Sequence, residues 1–331
     1  MRAHPFFFLM ASLAALTGRA DVLEGATATQ PIGVPEEVIV AAPEPLYVAP
    51  TLRDRIGRVW APVYLNGIGP FRLVLDTGAN RSAITPPIAM RIGVPTMTRT
   101  ARLLGVTGSA IVPMIQVNSI EVGDLLLDRR NVAVINEAFG GADGVLGADG
   151  LSDKRVFIDF LNDEIRIQHS RRRAERRGFT RIPVELRHGH LLMFDVRVAG
   201  VRTKAMLDTG AQVTIGNESL REALAKRYRR GVMHSIVGVT LDVQEGEAFE
   251  APPVAIGDVN ISGMRVTFGD FRIFEAWNLN GDPALLIGMD VIGLLDTLII
   301  DYKHEELLLR TRDHASAKRA AARQRSSASR L

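Results

Sequence analysis

The chain has 331 residues, of which 47% are hydrophobic and 23% charged, so one large or two medium globular domains are expected and global disorder is excluded. It contains no Cys, which excludes disulfides, thiol nucleophiles and zinc or iron–sulfur centres held by Cys. The formal charge of +3 would hint at nucleic acid if it were spread over the folded part of the chain.

Residues 1–20 have the pattern of a signal peptide. Arg2 gives a positive start, residues 5–16 form an apolar run, and Gly18 and Ala20 are small residues before a cleavage point. The apolar run is shorter than the roughly 20 residues of a membrane helix, although an uncleaved anchor is the alternative. We therefore expect an exported protein, periplasmic or secreted, with no stable membrane insertion after signal removal. Residues 21–51, rich in Pro, Ala and Glu, are expected to be an extended leader.

A repeated segment dominates the rest of the chain. Residues 71–79, FRLVLDTGA, recur as residues 204–211, KAMLDTGA. Each copy leads from an apolar strand into Asp-Thr-Gly-Ala, so Asp76 and Asp208 occupy equivalent positions.

The similarity extends to further landmarks that follow in the same order in both halves. Ser82 and Thr214 each lie six residues after the Asp. Next come a helix start, a Gly-Val-Thr segment, an apolar-apolar-Gly segment and a final pair of strands. The second helix is expected to continue to about residue 230 and stop at Gly231. In chain order the landmarks are residues 85–86, 105–107, 145–147, 156–160 and 165–167 in the first half, and residues 217–218, 238–240, 286–288, 298–302 and 307–309 in the second. This repetition indicates an internal duplication.

The duplication predicts an all-β, bilobal chain. Residues 52–169 and 181–311 form the two lobes, each made of short strands with one short helix, whereas a doubly wound sheet would need a helix between most strands. Residues 170–180 form a basic linker and residues 312–331 a basic, disordered tail. Because the linker, the tail and the N-terminal segment hold the excess of Lys and Arg, the lobes are net acidic. We therefore expect no nucleic-acid partner.

On these residues the chain resembles the retropepsin-like aspartic proteases, with two Asp-Thr-Gly-Ala lobes related by a pseudo-two-fold axis in one polypeptide. The resemblance implies that Asp76 and Asp208 are catalytic. Two carboxyls held side by side share one proton, so that one activates water while the other donates to the substrate carbonyl. It implies an endopeptidase acting on an extended protein or peptide segment, working without a cofactor as a monomeric pseudo-dimer.

The resemblance also implies supporting roles around the pair. The two Thr would bond across the lobe interface, the two Gly allow the turn, and the two Ala keep the floor of the site small. These residues are Thr77, Gly78, Ala79, Thr209, Gly210 and Ala211. Two Gly-containing hairpins would act as flaps over the substrate. The flap residues are Gly105, Val106, Thr107 and Gly108, and then Val237, Gly238 and Val239.

The chain departs from the viral pattern where an Asp and an Arg normally pair. Asn80 and Gln212 stand at the Asp positions, and Ala148 and Met289 stand at the Arg positions. Both partners are missing in both lobes, so the departure is expected to affect substrate preference more than catalysis. The alternative interpretations are a catalytically inactive peptide-binding module of the same fold at the cell envelope, and an assembly role without turnover.

No metal site is expected. His188 and His190 lack a third ligand nearby, and the acidic residues 143, 149 and 153 are more simply explained by turns than by a calcium loop. Asp149 and Asp290, which follow the two apolar-apolar-Gly segments, are expected to be structural.

Overall fold

The computed structural model describes the backbone of residues 36–39 and 44–45, and residues 59–122, 125–136, 140–162, 164–174, 177–225 and 231–311. The predicted signal peptide, the basic tail and most of the leader lie outside the described residues. In the part of the chain that is described, no helix combines the length and apolar character needed to cross a membrane.

The protein is mostly β, as the sequence predicts, and the strands of the described residues form three sheets. The first half contributes an eight-stranded sheet with the order β1-β6-β7-β3-β4-β9-β5-β8. Its strands are β1 (Glu36–Ile39), β3 (Trp60–Leu65), β4 (Ile68–Leu75), β5 (Ala83–Ile84), β6 (Thr100–Leu104), β7 (Ser109–Val122), β8 (Leu125–Val134) and β9 (Gly144–Leu146).

The second half repeats this arrangement in an eleven-stranded sheet whose path is β2-β17-β18-β21-β16-β22-β15-β14-β19-β20, with β13 paired to β14. Its strands are β2 (Glu44–Pro45), β13 (Glu185–Arg187), β14 (Leu191–Val198), β15 (Val201–Leu207), β16 (Ile215–Gly216), β17 (Val232–Val237), β18 (Val243–Glu250), β19 (Val254–Ile256), β20 (Val259–Ile261), β21 (Arg265–Phe268) and β22 (Ala284–Ile287).

Four short helices complete the described part: α1 (Pro86–Arg91), α2 (Glu218–Leu224), α3 (Arg272–Ala276) and α4 (Met289–Ile292). Asn217 caps α2, because its side chain accepts from the Leu220 N–H. The expectation that this helix reaches residue 230 is wrong, since α2 ends at Leu224. Leu220 and Leu224 give α2 a buried face, whereas the next positions at helical spacing, 227 and 228, are Arg and Tyr.

The final strands of the two halves pair with each other. β10 (Lys154–Asp159) and β11 (Glu164–His169) join β23 (Leu295–Asp301), β24 (Glu306–Thr311) and β12 (Thr180–Pro183) in a five-stranded sheet with the order β11-β10-β23-β24-β12. β10 and β23 run antiparallel, with Val156 opposite Ile300. Both side chains are buried in one apolar cluster that also contains Leu73 and Leu207 of the two halves. The two lobes therefore share a sheet and a core.

A buried polar network crosses this shared sheet. The Arg155 guanidinium donates to the Asp301 carboxylate from Nε at 2.9 Å and from Nη2 at 2.6 Å, and the Ser170 hydroxyl donates to the same oxygen at 2.8 Å. Burial alone would raise the pKa of Asp301, but the hydrogen bonds from Arg155, Ser170 and His304 outweigh it and lower the pKa. Ser170, at the start of the predicted linker, is thereby fixed to the second lobe.

Candidate active site

Each Asp-Thr-Gly turn begins where a buried strand ends. β4 runs parallel to β9, and the Asp76 N–H donates to the Leu146 carbonyl at 3.0 Å. In the second half β15 runs parallel to β22, and the Asp208 N–H donates to the Ile287 carbonyl at 3.0 Å. The apolar-apolar-Gly segments of the sequence are thus the strands that hold the two aspartates in place.

Each turn folds back so that two backbone N–H groups bind one oxygen of its own aspartate. Asp76 Oδ1 accepts from the N–H groups of Gly78 at 2.8 Å and Ala79 at 3.0 Å. In the second turn, Oδ1 of Asp208 accepts from Gly210 at 2.9 Å and Ala211 at 3.0 Å. One oxygen of each carboxyl is therefore fixed by its own turn, and the other is directed elsewhere.

The two turns bring Asp76 and Asp208 together. Both residues are 0% exposed, and the Asp208 carboxyl interacts directly with the Asp76 carboxyl. Burial raises the pKa of Asp208 well above its usual value, and the neighbouring Asp76 charge and its hydrogen bond to Asp208 raise it further. Two buried carboxyls in this arrangement share one proton. The pKa values at which they titrate are therefore properties of the pair and cannot be assigned to either residue alone.

The two threonines tie the turns to each other. The Thr77 hydroxyl donates to the Leu207 carbonyl at 2.7 Å and accepts from the Thr209 N–H at 3.1 Å. The Thr209 hydroxyl makes the reciprocal bonds, donating to the Leu75 carbonyl at 2.7 Å and accepting from the Thr77 N–H at 3.2 Å. Four hydrogen bonds between buried groups therefore determine how far apart the two aspartates lie.

Replacing Thr77 with Val is expected to destabilise the protein by about 2–4 kcal/mol, because the Leu207 carbonyl and the Thr209 N–H would remain buried without their partner. Urea unfolding monitored by circular dichroism measures this loss. Thr203→Val is the matched control, since Thr203 is equally buried but its hydroxyl bonds only the nearby Val201 carbonyl. Equal losses for the two variants would contradict the role of the cross-lobe bonds.

Behind each turn lies a second carboxylate whose partner the sequence did not reveal. Asp149 Oδ1 accepts from both the N–H and the hydroxyl of Ser82 at 2.8 Å, and Asp290 accepts from the N–H of Thr214 at 3.0 Å and from its hydroxyl at 2.7 Å. Burial raises the pKa of Asp149 and of Asp290 to about 6, although the bonds from Ser82 and Thr214 oppose the shift. The signal for these pairs was present in the matching offsets of both halves.

The wild type is expected to lose stability as the pH rises from 4 to 7, whereas the Asp290→Asn variant lacks this loss. The free energy of unfolding of the variant, measured against that of the wild type, should therefore increase over this pH range. The folded protein binds the Asp290 proton more tightly than the unfolded chain, so wild-type stability falls as pH rises between the usual pKa near 3.8 and the folded value of about 6. For a partly buried carboxyl this difference amounts to about 1–3 kcal/mol.

Urea unfolding of both proteins at pH 4 and pH 7 measures the change. Asp258→Asn, at an exposed turn position, is the control and should show no such trend. A stability difference between Asp290→Asn and the wild type that stays constant with pH would refute the assignment.

The predicted flap segments are the tips of two hairpins. β6 and β7 are joined at residues 105–108, where the Gly105 N–H donates to the Gly108 carbonyl at 2.8 Å. β17 and β18 are joined at residues 238–242, where the Gly238 N–H donates to the Asp242 carbonyl at 3.2 Å. Val237 is the last residue of β17, and Val106, Thr107 and Val239 lie within the tips.

Each flap tip packs into the apolar cluster of the opposite half. Val106 is 0% exposed and belongs to the cluster that contains Ala211, whereas Val239 is 5% exposed and belongs to the cluster that contains Ala79. The tips also touch each other, since a Cβ on Gly105 would lie 3.0 Å from Val239 Cγ1. The flaps are closed over the two Asp-Thr-Gly turns in this structure.

Several buried polar side-chain atoms beside the turns and within the flap tips lack a hydrogen-bond partner among the described residues. They are both amide atoms of Gln212 and the hydroxyls of Thr107 and Thr240. Buried polar groups are normally hydrogen-bonded, so these three side chains could accept or donate to a polar ligand. No group of three or more His, Asp or Glu in the described ranges is placed to hold a metal ion.

A family model described as aspartyl protease matches residues 61–149 and 194–291, which together are more than half of the chain. The chain belongs to the aspartyl protease family. The two matched regions are the two halves that each supply one Asp-Thr-Gly turn, so this aspartyl protease has two lobes.

The chain was also compared with solved structures and with curated proteins. One similar solved structure is a retropepsin-like aspartic protease from Rickettsia conorii, with 17% sequence identity and a TM-score of 0.28 over 40% of this chain and 90% of that chain. No curated protein matches this aspartyl protease by sequence.

Proposed function

We propose that this aspartyl protease is an active endopeptidase, which hydrolyses peptide bonds in extended protein segments with water activated between Asp76 and Asp208. The observation that carries the proposal is the pair of fully buried carboxyls in direct contact, each with one oxygen held by two backbone N–H groups. Two adjacent buried carboxyls are costly for folding, and strongly raised carboxyl pKa values of this kind are concentrated at catalytic sites.

The chemistry follows from the shared proton. The ionised member of the pair removes a proton from water as the water oxygen attacks the peptide carbonyl carbon, and the protonated member donates to the carbonyl oxygen. In the breakdown of the tetrahedral intermediate the C–N bond breaks, and the carboxyl that took the proton from water passes it to the leaving amine. The other carboxylate takes a proton back from a hydroxyl of the intermediate, which becomes the carbonyl of the product acid. The reaction consumes one water and returns the pair to its starting protonation.

The closed flaps support an extended peptide as the substrate. The Gln212 amide beside the turn, and the Thr107 and Thr240 hydroxyls where the two tips meet, have no hydrogen-bond partner among the described residues in the closed arrangement. Once the tips have opened, the N–H and C=O groups of a peptide would supply partners for them. Burial beneath the flaps also excludes water other than the attacking molecule. For the protein to admit a substrate, the contacts between the flap tips must open.

We further propose that the protein is exported and works as a monomer whose two lobes form a pseudo-dimer, with no stable insertion in the membrane. The export proposal rests on the signal-like pattern of residues 1–20. The monomer proposal is supported by the presence of both aspartates in one chain, joined through a shared sheet and core.

Incubation of the purified protein with a peptide library, followed by mass spectrometry, tests the proposal. Cleavage by the wild type that is lost in Asp76→Asn is the expected result. Peptides that bind tightly to the wild type but are recovered intact would instead identify the catalytically inactive peptide-binding module.

A further inference from the structure

The linker between the lobes crosses the shared five-stranded sheet. It leaves β11, one edge strand of that sheet, after His169, and it enters β12, the other edge strand, at Thr180. Successive side chains of a strand point to opposite faces, so Arg155 and Val156 of β10 lie on different faces of the sheet. Val156 belongs to the core that the lobes share, whereas the Arg155 guanidinium donates to the Arg172 carbonyl of the linker. The linker therefore lies on the outer face of the sheet.

Contacts hold the linker to this outer face near both of its ends. At the start, the Ser170 hydroxyl donates to the Asp301 carboxylate at 2.8 Å, and the Arg172 carbonyl is bound by β10 as described above. Near the end, the Arg310 guanidinium lies 5.0 Å from the centre of the Phe179 ring. The linker backbone is thus tied to the sheet, and its exposed side chains project from a fixed base.

Most of these projecting side chains are cationic. Residues 171–177 contain five Arg and one Glu. Four of the arginines are described, are exposed and form no ion pair with any described residue: Arg171, Arg172, Arg173 and Arg177. The buried acids of the same face are already paired, Asp301 with Arg155 and Glu306 with Arg181. The outer face therefore has an excess of positive charge.

The basic tail leaves the described part of the chain beside the linker. β24 ends at Thr311 and β12 begins at Thr180, and the two strands run antiparallel with Thr180 opposite Leu309. The end of the linker and the start of the tail are therefore neighbours. Residues 312–331 add six Lys or Arg and one Asp. The fold thus brings two basic segments that are far apart in the sequence to one end of the shared sheet.

We propose that the outer face of the shared sheet, with the linker across it, is a docking surface for anionic lipid headgroups, on which the protein adsorbs to a membrane without inserting. Charge complementarity supports this occupant, because each Lys or Arg close to an anionic membrane raises the affinity by about fivefold. The net acidic lobes would be repelled, so the attraction also orients the protein with its linker towards the lipid. The inference goes beyond the proposed function and does not depend on catalysis.

The same face is poorly suited to nucleic acid. Proteins that bind single strands stack the bases on aromatic rings. Phe179 is the only aromatic residue among residues 170–180, and the Arg310 guanidinium lies over its ring. Lipid headgroups need no stacking surface and are recognised by charge alone. The proposed export would also place the protein beside a membrane.

Flotation of the purified full-length protein with lipid vesicles tests the proposal. One set of vesicles is phosphatidylcholine alone, and the other contains about 30% phosphatidylglycerol. The linker variant combines Arg171→Gln, Arg172→Gln, Arg173→Gln and Arg177→Gln. The matched control has the same net charge and neutralises four exposed arginines of the lobes, with Arg129→Gln, Arg197→Gln, Arg265→Gln and Arg272→Gln. The neutral vesicles measure any contribution of the apolar residues 5–16, which all the proteins have in common.

The wild type should bind the anionic vesicles at least tenfold more tightly than the neutral ones at low salt, and this preference should decline as salt is raised. The linker variant should bind the anionic vesicles at least tenfold more weakly than the wild type, whereas the control should remain within about threefold of it. Circular dichroism checks that both variants are folded.

Three results would overturn the proposal. The first is a wild type that does not distinguish the two kinds of vesicle. The second is an equal loss in the linker variant and the control, or no loss in either, because net charge or the tail alone would then explain the binding. The third is linker-dependent binding to a single-stranded RNA, followed by fluorescence anisotropy, that is tighter than binding to the anionic vesicles, which would assign the face to nucleic acid.

Discussion

Asp208→Asn and Asp76→Asn should each lower kcat for peptide hydrolysis by about a thousandfold or more, with the fold retained. Asparagine has nearly the same shape as aspartate but cannot ionise, so the pair would lose either the base that activates water or the acid that protonates the carbonyl. Initial rates on a peptide identified in the library assay, measured across pH 3–8, give the comparison.

The fold is expected to survive because asparagine fills the same space and cannot ionise in the buried site. The pKa of Asp208 is raised in the folded protein, so wild-type stability falls as pH rises above the pKa of the unfolded chain. Asp208→Asn avoids this loss, and its melting temperature at pH 7 should be no lower than that of the wild type. Asp258→Asn, an exposed substitution, serves as the activity control. Full activity in either dyad variant would eliminate the proposed mechanism.

Gly78→Ala should reduce kcat by about a hundredfold or more and destabilise the protein by about 1–3 kcal/mol. A Cβ at this position would lie 2.6 Å from Asp208 Oδ2 and 2.8 Å from Asp208 Cγ, so either the turn or the carboxyl must move. The substitution keeps both aspartates but disturbs their separation. It therefore tests whether activity depends on the geometry of the pair as well as on its chemistry.

Gly281→Ala is the control for this variant, because a Cβ there would meet no atom within 4 Å. Its activity and unfolding free energy should remain close to the wild-type values. If Gly78→Ala behaved in the same way as Gly281→Ala, the close approach of the two turns would have no bearing on catalysis.

Much of the architecture could be predicted from the sequence because short local patterns specify it and because the same patterns occur in both halves of the chain. Alternating apolar residues define the strands, Asp-Thr-Gly-Ala defines each turn, and the recurrence of these patterns at matched spacing identifies the duplication. The positions of Asp76 and Asp208 as equivalent members of a pair followed from that recurrence alone.

Local patterns were less informative where a residue's partner lies far away in the chain. Ser82 and Asp149 are 67 residues apart, and only the recurrence of both positions in the second half, as Thr214 and Asp290, relates the two segments. The same holds for Val106 and Val239, whose spacing does not reveal that each packs into the opposite half. The end of α2 was predicted wrongly because Gly231 resembles a helix stop, whereas the helix ends at Leu224.

By itself, the sequence determined that this protein has two equivalent lobes and that each supplies one carboxyl, since repeats and turn motifs are properties of neighbouring residues. Only the tertiary structure decided that the final strands of the lobes form one shared sheet and that each flap tip packs into the apolar cluster of the opposite lobe. It also decided that β1 and β2 of the leader pair with the first strands of the flaps. Each of these depends on contacts between distant segments, whose pairing is chosen by the packing of the whole core and not by any local pattern.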